Sequence, residues 1–162
     1  MFKSHLEYGI LAWGGVPNSK LKGITNLQKK CIRNVANKNK LSHTDPIYSS
    51  LKVLTFSDLI KYNCLTFMHN FAFGRLPNSF DGMFKPLGLQ NRKGNYYLMK
   101  YKSIFFEKFP SVFLPKIWNE NSANIKHCTT LSSLKTLISD IMLSKYNDVE
   151  KCRYVNCPDC MI

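Results

Sequence analysis

Apolar residues return along this chain at helical spacing, and clusters of Gly, Pro and Asn cut the pattern into four segments. After the break Gly14-Gly15-Val16-Pro17-Asn18, the positions Leu21, Ile24, Leu27, Cys31, Ile32 and Val35 fall within an arc of about 140° at about 100° per residue. That arc predicts an amphipathic helix with Asn18 or Ser19 as its cap. Ser42-His43-Thr44-Asp45-Pro46 then reads as a turn into a short helix from about Ile47 to Lys52, because Pro suits a first helical turn and Thr44 or Asp45 can cap it. A longer helix follows, capped by Thr55 or Ser57, with Leu59, Ile60, Cys64, Phe67, Met68 and Phe71 sharing a face and Gly74 ending it.

From Arg75 to Lys116 the chain is rich in Pro, Gly, Asn and aromatics, and the run Tyr96-Tyr97-Leu98-Met99-Lys100-Tyr101-Lys102 suits an extended conformation. The last helix, capped by Thr130, carries Leu131, Leu134, Leu137, Ile138, Ile141 and Met142 and ends near Tyr146. The fold class expected is therefore mainly α. It is a small helical domain over residues 1–146, with an irregular aromatic-rich middle that leaves room for a short β-hairpin. A cysteine-containing tail at 147–162 follows, for which disorder is the ordinary expectation at a chain end.

Composition narrows the class without changing that picture. With 162 residues, 44% of them hydrophobic and 13% aromatic, the chain holds too many large apolar side chains to stay unfolded and enough for one core. Lys, Asn, His or Ser interrupts every apolar run before 18 residues, so no membrane-spanning helix is expected. Lys3 ahead of Tyr8-Gly9-Ile10-Leu11-Ala12-Trp13 imitates a signal peptide, but Glu7 abuts the apolar stretch, Gly14-Gly15 ends it early and no cleavage-site pattern follows. A nuclear or cytoplasmic, not secreted, protein with reduced thiols is the expectation.

Charge changes the picture most. The chain has 23 Lys+Arg against 10 Asp+Glu, a formal +13. No acidic residue occurs from Tyr8 to Thr44, where Lys20, Lys22, Lys29, Lys30, Arg33, Lys38 and Lys40 all fall. Lys22, Lys29 and Arg33, at i, i+7 and i+11, lie on one stripe of the predicted helix, roughly opposite its apolar arc. A second acid-free stretch, Gly82 to Phe106, holds Lys85, Arg92, Lys93, Lys100 and Lys102 with Tyr96, Tyr97 and Tyr101 interleaved. Bases stack on rings while cations neutralise phosphates, so the two stretches point to RNA or DNA as partner. Any one of these lysines is better read as a solvated side chain; together they point to a partner, because an uncompensated basic stripe stores self-repulsion that a polyanion relieves. A basic amphipathic helix can also lie on an anionic membrane, but Asn26, Gln28 and Asn34 interrupt the apolar face, and no membrane partner is expected.

Catalytic signatures do not emerge. No G-x-S-x-G, G-x-x-x-x-G-K-[ST], G-x-G-x-x-G or H-E-x-x-H occurs, and the closest acidic pair, Asp148-x-Glu150, sits beside the tail. His5, His43, His69 and His127 are isolated in sequence, with His69 read as a polar-face helical residue and His43 as a hydrogen-bonding loop residue. In the tail, Cys152, Cys157 and Cys160 form C-x4-C-x2-C. Three thiolates at that spacing could ligate Zn²⁺ with His127 or Cys128 as fourth ligand; a free dithiol or an unstructured tail competes with that reading, and no other cofactor is expected.

The order of motifs resembles a known family. Ser4-His5-Leu6-Glu7-Tyr8-Gly9-Ile10-Leu11-Ala12-Trp13-Gly14, Leu27-Gln28-Lys29-Lys30-Cys31-Ile32-Arg33, Ser42-His43-Thr44-Asp45-Pro46-Ile47-Tyr48, Leu51-Lys52-Val53-Leu54, Leu76-Pro77-Asn78-Ser79-Phe80 and Trp118-Asn119 look like the carboxy-terminal region of reverse transcriptases from non-LTR (LINE-type, jockey-like) retrotransposons. The resemblance covers most of the chain. It implies thumb-like helices that follow the polymerase palm and grip template and nascent duplex. The family's Y-x-D-D motif and upstream palm aspartate lie before the point where this chain begins, and no Asp-Asp pair occurs in it. The expectation is a truncated piece of an RNA-directed DNA polymerase, inactive alone without its palm, that retains binding to the nucleic-acid backbone. Where relatives carry an arginine-rich stretch, this chain has Lys100-Tyr101-Lys102-Ser103. The competing expectation is a structural or protein-interaction remnant, in which Trp13, Phe67, Phe71 and Trp118 are core and the charge is incidental.

Overall fold

Helix α5, Phe56–Ala72, is the axis of the molecule: Phe56, Leu59, Ile60, Cys64, Leu65, Met68 and His69 are all buried along it, more than one stripe of a helix can supply. In the computed structural model, which describes residues 2–88, 94–103 and 105–147, seven further α-helices surround it. They are α1 (Phe2–Glu7), α2 (Ile10–Trp13), α3 (Asn18–Val35), α4 (Asp45–Ser50), α6 (Pro110–Glu120), α7 (Ala123–Lys126) and α8 (Leu131–Ser144). Helices α1, α2, α3, α6 and α8 each pack on α5. The chain is mainly α, as its periodicity predicts. The irregular middle contains a single antiparallel bridge among the described residues, Pro86 to Tyr96, where a hairpin had room to form.

The main core joins α5 to Ile10 of α2, Leu21 of α3, Phe113, Leu114 and Trp118 of α6, and Leu134, Ile138 and Met142 of α8. Each such side chain, fully withdrawn from water, contributes roughly 1.5–3 kcal/mol. Trp13 lies flat on Phe56, centroids 5.5 Å apart, and Phe71, Phe84 and Tyr96 meet edge to face. A smaller cluster, Ile32, Ile47, Tyr48 and Tyr146, fastens α3 to α4 and to the 3₁₀ turn Lys145–Asn147.

Local chemistry explains where the helices start and stop. Thr55 and Thr130 cap α5 and α8, their hydroxyls accepting from the amides of Asp58 and Ser133, while α3 begins after Pro17 without a side-chain cap, one residue earlier than its predicted Asn18 or Ser19 cap allows. Three helices end in the same way, with a left-handed residue that turns the last carbonyls back onto following amides. They are α3 at Asn37 (φ 52°), α4 at Lys52 (φ 51°) and α5 at Gly74 (φ 61°). In each, the next amide reaches back to the third-last helical carbonyl: Lys38 to Arg33, Val53 to Tyr48, Arg75 to Asn70. Helix α6 begins inside the stretch read as irregular, with Pro110 at its first turn and Pro115 buried within it.

Candidate nucleic-acid interface

The orientation of α3 decides which cations reach solvent together. Its buried positions are Leu21, Gln28 and Ile32, whereas Leu27 is 53% and Val35 74% exposed, so the buried stripe is rotated from the predicted apolar arc. Gln28 explains the rotation. Its Nε2 donates to the Leu54 carbonyl at 3.0 Å, and its Oε1 accepts from the Phe56 amide at 2.7 Å and the Tyr48 hydroxyl at 3.1 Å. A Gln with three hydrogen bonds is a sound interior residue, and this one draws α3 onto the start of α5.

With α3 so placed, Lys22, Lys29 and Arg33 run along its flank, about 100° round from the buried stripe. Lys22 and Lys30 are exposed; Lys29 and Arg33 are half-buried. Arg33 donates from Nε to the Ser42 carbonyl at 2.8 Å, which pins its guanidinium beside the 37–42 turn. Lys30, Arg33, Asn34 and Lys40 then line one surface cleft of about 380 Å³. Three cations and an amide face one space, with no carboxylate among the described residues that line it. Lys22 and Lys29 do not line that cleft, and Lys38 is exposed on the turn whose backbone closes the helix. A helix C-terminus attracts cations, by about 0.3–1 kcal/mol each, which accounts for one charge more readily than for three. What such a cleft offers chemically is a set of donors for an oxyanion, with Arg33 able to present a planar fork and the lysines point charges.

The second basic stretch is held from α6. Trp118 Nε1 donates to the Gly94 carbonyl at 2.9 Å, and Asn119 accepts from the Tyr96 amide at 2.9 Å and donates to its carbonyl at 2.7 Å, as a neighbouring strand would. Lys126 Nζ reaches Asn95 Oδ1 at 2.7 Å. The Trp-Asn pair therefore fixes the point from which the 97–102 run leaves the core. Tyr97, Lys100, Tyr101 and Lys102 on that run are exposed. Arg92 and Lys93 lie outside the described residues, as do Cys152, Cys157 and Cys160 and the Asp148-x-Glu150 pair.

Among the described residues no group of three His, Cys, Asp or Glu is placed to hold a metal ion. His127 is exposed and Cys128 half-buried, its Sγ 3.4 Å from the Asn124 carbonyl. His69 belongs to the core and not to a polar face: it is fully buried, with Nε2 2.8 Å from the Cys128 carbonyl. A carbonyl only accepts, so Nε2 is the donor in that bond, and Nδ1 is buried without a hydrogen-bond partner. His43 Nε2 stands 4.0 Å from Asp45. Trp118 is buried, and Trp13, Phe67 and Phe71 pack against the core. No helix among the described residues is long and apolar enough to cross a membrane.

A surface feature that the sequence pattern did not single out lies beside the second basic stretch. Phe105, Phe106 and Phe109 are exposed and touch one another, with ring centroids 5.5–6.4 Å apart. Their advance sign is density, three Phe within five positions beside lysines, at a spacing of i, i+1 and i+4 that by itself suggests one buried helical face. The comparisons add no relative: no family model matches the chain, nor does any curated protein or solved structure.

Proposed function

We propose that this chain is the thumb-like, post-palm region of a non-LTR retrotransposon-type RNA-directed DNA polymerase, and that it grips the phosphate backbone of RNA or DNA without adding nucleotides itself. The observation that carries the reading is the convergence of Lys30, Arg33 and Lys40 on one cleft with no carboxylate among the described residues that line it. The motif order from Tyr8-Gly9-Ile10 to Trp118-Asn119 supports the family, and Lys22, Lys100 and Lys102 add exposed cations elsewhere on the surface. Phosphate contacts of this kind position a nucleic acid and carry no sequence information, so binding is expected to be general.

The test is fluorescence anisotropy on RNA, DNA and hybrid duplexes across a salt series. Affinity falls with salt, and the logarithmic slope is about 0.9 per phosphate neutralised on duplex DNA. The combined variant Lys30→Gln, Arg33→Gln, Lys40→Gln is expected to shallow that slope by two to three contacts while its helical circular dichroism stays unchanged. Absence of binding at low salt, or a slope that ignores the three substitutions, removes the proposal.

A further inference from the structure

We propose that Phe105, Phe106 and Phe109, together with Tyr101, form a platform on which the unpaired bases of single-stranded nucleic acid stack. The inference rests on nucleic acid being the partner and assigns it a strandedness that the backbone cleft does not.

The rings are 63%, 54% and 42% exposed, in a molecule whose other Phe residues mostly line its core. A contiguous apolar patch of this kind in a folded domain marks a contact surface. It is also firmly held. The turn that carries it closes through amide-to-carbonyl bonds from Phe106 to Ser103, Lys108 to Phe105 and Phe109 to Phe106. Its Lys108 carbonyl lies against Gly15, in a space that a Cβ there would fill. Phe109 is extended (φ −74°, ψ 142°) and runs straight into Pro110 of α6. Rings fixed in advance lose little entropy when a base covers them.

Charge selects the occupant. Lys108 Nζ sits 5.9 Å from the centre of the Phe105 ring, and Lys100 and Lys102 are exposed on the adjoining run. Glu107, the acid within the turn, is already engaged: Lys116 Nζ lies 3.1 Å from its Oε1, and Tyr101 beside it helps Lys116 hold the Glu107 carboxyl below the usual carboxylate range. That shared carboxylate brings Tyr101 to the patch. Aromatic faces with one lysine over a ring and two more exposed on the adjoining run, the local acid being neutralised, suit a ligand that is both π-faced and polyanionic. A second copy of this chain would set the same lysines against each other.

The probes are a labelled oligodeoxythymidine and an abasic phosphodeoxyribose oligomer of equal length, bound to the full chain at low salt. The thymidine strand should bind about tenfold tighter, the scale of one stacked base. The variant Phe105→Ala, Phe109→Ala should lose that margin and keep its affinity for the abasic strand. Phe105→Leu, Phe109→Leu, which retains apolar area without a π-face, should lose it equally. Equal binding of the two oligomers by the wild-type chain, or a margin that survives both variants, overturns the platform and leaves the backbone grip standing. No binding of either oligomer overturns both readings. Sedimentation that shows a dimer dissolved by the alanine variant gives the face to a second copy and also overturns the platform.

Discussion

Gln28 and Phe56 are joined by a 2.7 Å hydrogen bond from the Phe56 amide to the Gln28 side chain, and that bond seats the cation-bearing helix α3 on the first turn of the central helix α5. The amide belongs to the start of α5, where backbone donors have no partner within the helix. One side chain from 28 positions away supplies the missing acceptor. It thereby settles which side of α3 faces the core, and so which lysines share a surface.

Replacing Gln28 by Leu is expected to cost about 3 kcal/mol in urea unfolding, because the Phe56 amide and the Tyr48 hydroxyl would be left buried without partners. Tyr48→Phe removes one of the three bonds and strands no backbone group, so about 1 kcal/mol is expected. The two substitutions should not add, since they share a bond. A Gln28→Leu chain as stable as wild type would mean that the bonds do not hold α3 in place.

Two glycines should respond to alanine with opposite signs. At Gly15 a Cβ would run into the Lys108 carbonyl and come within 2.6 Å of the Phe113 ring, so the α2–α3 connection would have to lift from α6. A loss of about 1–3 kcal/mol is expected for Gly15→Ala. Gly23 stands inside α3 with nothing within 4 Å of the place a methyl group would take, and there Ala removes only the entropic penalty of Gly in a helix. Gly23→Ala should raise stability by about 0.5–1 kcal/mol. Thermal melts of the two variants read the contrast directly, and equal signs would contradict the packing at Gly15.

How far the sequence discloses this structure depends on how local each decision is. The Thr55 and Thr130 caps, the Gly74 stop and the face of α8 follow from neighbours three or four positions away, and those are legible, whereas the burial of Leu65 and His69 widens the α5 face beyond its predicted stripe. The rotation of α3 is not legible, because what buries Gln28 and exposes Leu27 and Val35 is the 54–56 connection, remote in sequence. Helix α6 was hidden by Pro115, whose missing amide is tolerated in a buried helix framed by Pro110 and Asn121. The basic stripe was visible as spacing, yet the cleft draws one cation from beyond the helix, Lys40, which a helical projection cannot place. Phe105, Phe106 and Phe109 have the i, i+1, i+4 spacing of one helical face, which suggests burial, and their exposure is a property of the fold alone.

The end of α4 offers a stabilising substitution. Lys52 adopts φ 51°, the left-handed conformation that costs a residue with a Cβ roughly 1–2 kcal/mol and costs glycine little. The backbone bonds that close this turn, Lys52 to Ser49 and Val53 to Tyr48, need no side chain at position 52. Lys52→Gly is expected to gain about 0.5–1 kcal/mol after the greater freedom of glycine in the unfolded chain is subtracted. Asn37, left-handed at φ 52°, should gain less, because Asn tolerates that region. Chemical denaturation of the two variants ranks them, and a destabilised Lys52→Gly would show that the lysine side chain itself holds the turn.

Alkaline pH should loosen the fold at identifiable residues. Burial pushes the Tyr48 hydroxyl from its ordinary 10.0 up to about 12, with nearby Asp45 adding to the effect. Burial also raises Tyr146, which is helped by the hydrogen bond its hydroxyl donates to Asp58. Both groups are neutral in the folded chain and ionise more readily when unfolded. Their contribution is therefore fully present below about pH 10 and is lost as pH climbs through 10 toward the raised folded values. The loss for Tyr48 is on the order of 2 kcal/mol. Both residues sit in the cluster that ties α3 and α4 to the end of the last helical segment described, so this corner should open first. Urea midpoints measured at pH 8 and again near 11 should show the fall, and Tyr48→Phe with Tyr146→Phe should flatten it, since neither phenylalanine can ionise. A double variant whose midpoint drops as steeply as that of the wild-type chain would assign the alkaline loss elsewhere, with the buried Cys64 thiol, itself pushed up to about 12, as the next group to replace.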